Sequence, residues 1–192
     1  MSEEPAPTRD SMLKQIIDAE WDMFRRVKAS EPAACQEEEG TFRTMRWMSH
    51  SVLPDGLLEL LSDHMETATR AGRNLMTEKY ARMEGLVPPL SQNPHIPEIV
   101  TIECAWMQAL IRRYPLTFPG LGDRFQTYLA CELETHSDEF LNGYHSLLKE
   151  ALAMERNLVE ERYTHLFQKL GYATIEAREH QGRLNLAKCC RG

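Results

Sequence analysis

Arg73-Asn74-Leu75-Met76-Thr77-Glu78-Lys79-Tyr80 has a counterpart 83 residues downstream, Arg156-Asn157-Leu158-Val159-Glu160-Glu161-Arg162-Tyr163. Arg, Asn, Leu, Glu and Tyr recur at the same spacing, and the exchange of Lys79 for Arg162 keeps the charge. A helical pattern aligned with itself reproduces apolar matches, but it does not reproduce matched Arg, Asn, Glu and Tyr. The segment therefore reads as an internal repeat. Outward from it, the same register aligns Ile16-Ile17 with Ile99-Val100, Glu20 with Glu103, and Phe42 and Thr44 with Phe125 and Thr127. It also aligns Asp55 with Asp138 and Leu58 with Leu141.

The apolar spacing between these anchors is helical. Leu13, Ile16, Ile17, Phe24 and Val27 form a 3.6-residue stripe on a helix over 11–29, capped by Asp10 or Ser11. A loop follows over 30–40, then a short helix over 41–51 and a long one over 56–84 behind Asp55. Pro88, Pro89, Pro94 and Pro97 make 86–97 a linker. Helices over 98–114, 123–135 and 139–170 repeat the pattern, and a polar helix over 174–188 closes it. Period-two alternation of strand formers is absent. The expectation is an all-α helical bundle made of two tandem pseudo-twofold three-helix repeats, 11–85 and 98–172, plus a C-terminal helix. Residues 1–10 and 189–192 are expected to be tails.

Composition narrows the class. Hydrophobic residues make up 42% of the 192, enough for a packed core. No apolar run approaches the roughly 18 residues of a membrane span. Met1 to Arg9 lack a signal-peptide pattern, which makes the cytoplasm the expected location. A net charge of −7 without a basic stripe argues against nucleic acid as a partner. The 5 cysteines (Cys35, Cys104, Cys131, Cys189, Cys190) have no CxxC spacing, so neither a disulfide framework nor a zinc knuckle is indicated. Cys35 precedes a helix, but Glu37, Glu38 and Glu39 would oppose activation of its thiol.

Glu20 falls in the middle of its helix's apolar stripe, and Glu103 does the same amid Ile99, Trp106 and Leu110. A carboxylate aimed at a core must be paired, hydrogen-bonded, metal-bound or protonated. The repeated cluster offers its Arg, Asn, Lys and Tyr as partners, namely Arg73, Asn74, Lys79 and Tyr80 with Arg156, Asn157, Arg162 and Tyr163, and Glu78 and Glu161 complete the candidate ligand-binding set. One reading is a buried polar network that only docks the halves. Another is a pocket between them that takes a small polar or anionic ligand, either in a binding protein or in an enzyme. A third is a transition-metal site of two iron or manganese ions, with Glu103, Glu132, His136, Glu161 and His165 as ligands. For that third reading the spacing is i,i+4 rather than ExxH, and the first half holds Ser49, Leu53, Glu78 and Arg82 at the matching places.

Glu20-Trp21-x-Met23-Phe24, Cys35-Gln36, Thr41-Phe42-x-x-Met45-Arg46 and Gly72-Arg73-Asn74-Leu75-x-x-Glu78-Lys79-Tyr80-Ala81-Arg82-Met83 resemble bacterial domain-of-unknown-function family 4125. The resemblance runs from about Met12 to Tyr172. It implies a stand-alone domain and no particular activity, cofactor or ligand.

Overall fold

A computed structural model describes residues 7–27 and 38–189. Pro32, Cys35, Glu37 and Cys190 lie outside them, as do residues 1–6 of the expected N-terminal tail. The described chain is all-α, with α1 (Arg9–Phe24), α2 (Glu39–His50), α3 (Asp55–Arg70), α4 (Leu75–Met83), α5 (Ile96–Arg113), α6 (Phe125–Leu133), α7 (Asp138–Ala153), α8 (Leu158–Lys169) and α9 (Ile175–Cys189). Among the described residues no helix is long and apolar enough to cross a membrane.

α1 begins before the expected Asp10 or Ser11 because Thr8 is its cap, accepting from Ser11 N. Arg9 then ties this end to the α2–α3 turn, donating to Asp55 Oδ1 at 2.6 Å and to the Ser51 carbonyl at 2.9 Å. Ser137 caps α7 by accepting from Phe140 N, whereas Asp55 is the first residue of α3, behind Pro54, rather than its cap.

Each long helix expected from sequence is two helices, α3 with α4 and α7 with α8. α3 ends at Arg70, where Gly72 takes φ 68°. Arg73 N then reaches back to Ala68 O, closing the helix in a Schellman-type turn. Asn74 caps α4, its Oδ1 accepting from Thr77 N. The second half makes the same break: Glu155 has φ 55°, Arg156 N bonds Ala151 O, and Asn157 caps α8 through Glu160 N. The sequence contained both breaks, as Gly72 and as the two asparagines, but the unbroken apolar periodicity hid them.

α1 packs on α2, α3 and α4, while α5 packs on α6, α7 and α8. Three helix pairs join these groups: α2 lies against α8, α6 against α4, and α3 against α7. α3 meets α7 directly, so closely that a Cβ on Gly143 would stand 2.7 Å from Leu57 Cδ2. Leu58, Leu61, Ile99, Leu141, Leu148 and Leu158, each fully buried, fill the space between. α9 is held by Glu179, buried at its first turns, which accepts from Leu116 N and from Thr117 N and Oγ1.

The two chain breaks differ in cost. Gly72 adopts a left-handed φ freely, whereas a side chain there costs about 1–2 kcal/mol. Glu155→Gly should therefore raise unfolding free energy by about 1 kcal/mol, seen as a higher urea midpoint at unchanged slope.

Candidate functional site

Two buried charge networks face one another across the middle of the bundle. Glu20 of α1 is fully buried. Arg46 of α2 grips it with two bonds, Nε to Oε2 at 2.9 Å and Nη2 to Oε1. His50, one turn further along α2, places Nε2 at 3.1 Å from both carboxylate oxygens and donates to them. The remaining guanidinium nitrogen, Arg46 Nη1, pairs with Glu132 Oε1 of α6 at 2.7 Å. Glu132 Oε2 in turn accepts from Lys79 Nζ of α4 at 2.7 Å, and Lys79 also reaches Tyr128 Oη at 3.2 Å. The result is an alternating chain of charges through α1, α2, α6 and α4.

The second network is smaller. Glu103 of α5 accepts from Arg162 Nη1 of α8 at 2.9 Å and from Nη2 at 3.2 Å. Tyr144 of α7 donates its hydroxyl to Glu103 Oε1 and accepts from Arg162 Nη2.

A cavity of about 270 Å³ lies between the networks. Arg46, His50, Glu132 and His136 stand on one side of it, and Glu103, Tyr144 and Arg162 on the other. Its remaining wall is mostly apolar, from Met48, Leu53, Met107, Leu129, Phe140 and Val159 among others. Met45, which is 40% exposed, and the half-buried Phe125 and Leu129 edge it between α2 and α6. Among the described residues, two buried wall atoms have no hydrogen-bond partner, His136 Nδ1 and Arg162 Nε. An unmet buried N–H costs about 1–3 kcal/mol, so such atoms are uncommon in a wall with no use for them.

The electrostatics follow from who faces whom. Burial pushes the Glu20 carboxyl up, but Arg46 and His50 outweigh it and hold its pKa down at about 2. Burial likewise raises Glu132, and Arg46 and Lys79 override it, leaving the group far below the usual carboxylate range. Lys79 is driven up by Glu132 and the tyrosines against its own burial. His136 goes the other way: burial, with Arg46 and His64 adding to it against Glu132, lowers it from 6.5 to about 4. Burial and Glu103 raise the Tyr144 phenol despite Arg162 beside it, so it stays protonated and donates.

A family model described as "Protein of unknown function (DUF4125)" matches residues 10–180. The chain belongs to that family. Comparison with curated proteins and with solved structures finds no match. The DUF4125 match spans both networks and the whole cavity wall.

Within this DUF4125 chain the repeated cluster proves to be a helix-start device. Asn74 and Asn157, besides capping, donate Nδ2 to Met23 O and Trp106 O near the ends of α1 and α5. Arg73 pairs with Glu78 and Arg156 with Glu161 at the surface, away from the buried carboxylates. Tyr80 packs beside Phe24, while Tyr163 reaches the cavity. Glu103 lines the cavity, and Glu20 lies beneath it, beside a void of about 10 Å³.

Of the five residues considered for a metal, Glu103, Glu132 and His136 stand on the cavity wall. Glu161 is paired with Arg156 outside, and His165 Nδ1 lies 3.0 Å from Ser51 Oγ. His136 sits in the turn beyond α6 rather than on it. Among the described residues no three His, Cys, Asp or Glu side chains stand close enough to hold a metal ion.

Sequence reasoning did not single out Arg46, His50 and Tyr144. A signal was present, since Phe42, Arg46 and His50 recur every four residues on one stripe of α2. That is the same clue that marked Glu20.

Glu20→Ala would leave Arg46 and His50 without their shared acceptor. It should cost about 3–5 kcal/mol in chemical denaturation, the range for breaking a buried pair from one side. Acid sensitivity has a defined sign. His136 and Glu20 both titrate lower folded than unfolded, so each contributes stability above its ordinary pKa and loses it as pH falls. His136 acts from 6.5 down to about 4, and Glu20 from 4.5 down to about 2. His136→Phe should flatten the upper part of the stability–pH curve by on the order of 2–3 kcal/mol and leave the lower part.

Proposed function

We propose that this chain binds a small molecule in the cavity between the two charge networks, at the junction of two tandem units. The cavity carries the proposal: about 270 Å³ corresponds to roughly nine waters at about 30 Å³ each. Known ligand sites share its character, a mainly apolar wall with a few converging polar groups. The unpartnered His136 Nδ1 and Arg162 Nε support it further, because a wall built only for packing would have no reason to keep them.

A second reading has its own observation. Glu20, Arg46 and His50 satisfy one another and Glu20 is sealed, which favours an architectural role for that network. The two readings divide the site: Glu20 docks helices, and the wall between Glu132 and Glu103 receives the ligand.

The test uses methionine methyl NMR, since Met45, Met48 and Met107 all line the cavity. A library of small apolar fragments should give hits that shift these three methyls together and saturate. Leu129→Trp, which fills the half-buried edge, should abolish those shifts while leaving the helical circular dichroism intact. Hits that bind equally well to the filled variant would overturn the proposal.

A further inference from the structure

The charges around the cavity are balanced and already engaged. Arg46, Lys79 and Arg162 are matched by Glu20, Glu132 and Glu103, each in an ion pair with at least one opposite partner. Lys79 and Glu20 stand behind the wall, and the other four line it. Arg162 Nε lacks a partner among the described residues, but the single charge of its guanidinium is already balanced by Glu103, so an anionic ligand would add an unbalanced negative charge to the wall. A cationic ligand would add an unbalanced positive charge in the same way. Either event leaves an unpaired charge in a water-poor interior, which costs several kcal/mol.

The hydrogen-bonding groups point the same way. Ser49 Oγ donates to Met45 O, and His50 is used by Glu20. Tyr128 accepts from Lys79, while Tyr144 is held between Glu103 and Arg162. Among the uncharged wall groups His136 differs: its Nδ1 has no partner among the described residues, and its ring lies 4.6 Å from that of Phe140. A neutral imidazole donates from one nitrogen and accepts at the other, so it serves a hydroxyl, a carbonyl or an amide equally well. It has no fixed charge to offer a carboxylate or an ammonium group.

We infer that the cavity selects an uncharged small molecule, an apolar body with one hydroxyl, carbonyl or amide head held by His136, and discriminates against the carboxylate or amine of the same skeleton. This rests on the cavity reading above and replaces the anionic ligand suggested by the arginines in the sequence.

The experiment titrates four matched probes, hexanol, hexanamide, hexanoate and hexylamine, into methyl-labelled protein at pH 7.5. Affinities come from the methyl shifts of Met45, Met48 and Met107. Hexanol and hexanamide should bind at least about tenfold tighter than hexanoate and hexylamine. His136→Phe keeps an aromatic ring against Phe140, and it should weaken the two neutral probes severalfold and close the gap. Should that variant not fold, Met45→Trp at the exposed edge should weaken all four probes together. Hexanoate or hexylamine binding as tightly as the neutral probes would overturn the charge inference and leave the cavity reading standing. Saturable shifts from none of the four would overturn both.

Discussion

The guanidinium of Arg46 holds two carboxylates at once, Glu20 of α1 and Glu132 of α6, and the arrangement of the bundle's centre follows from that sharing. A buried cation between two buried anions is stable only if each anion has a further donor. His50 supplies one for Glu20, and Lys79 supplies one for Glu132. Satisfying these four groups requires α1, α2, α4 and α6 to meet at fixed separations. Apolar side chains would tolerate sliding by a fraction of a turn; a forked guanidinium does not.

The cavity is the counterpart of that rigidity. α2 and α6 are joined through Arg46 and Glu132 rather than by interdigitated apolar side chains, and the second network holds α5, α7 and α8 through Glu103 and Arg162. Polar groups held at fixed distances leave the apolar residues between them unable to collapse inward. Met48, Leu53, Met107 and Phe140 therefore line a space instead of filling one. The two networks are also unlike. Glu20 and Glu103 occupy matching positions, but the arginine comes from α2 in one case and from α8 in the other.

Helix type was legible from the sequence because apolar periodicity is a local property. Glu20 and Glu103 were legible as buried carboxylates because a charge in the middle of an apolar stripe stands out. Arg162 was within reach as part of the repeated cluster, but Arg46, His50 and Tyr144 were not, because pairing depends on which helices cross. Arg73 and Arg156 looked suitable by sequence proximity to a conspicuous motif, yet the turns at Gly72 and Glu155 direct them outward to Glu78 and Glu161. The breaks in the two long helices escaped for a related reason: Asn74 and Asn157 act as caps within an apolar rhythm that continues on either side. The crossing of α2 onto α8 and of α6 onto α4 leaves no trace in any single window of sequence.

Those crossings bear on how the chain acquires its structure. Lys79 finds Glu132 across 53 residues, and His165 finds Ser51 across 114. A nascent first half reaching only to α4 would hold Lys79 and Arg46 with one anion, Glu20, between them. Closure of loops this long precedes the contacts that reward it, which slows folding relative to a bundle joined by neighbours alone. The charges of Arg46 and Lys79 are therefore balanced only once α6 brings Glu132 to complete the alternation.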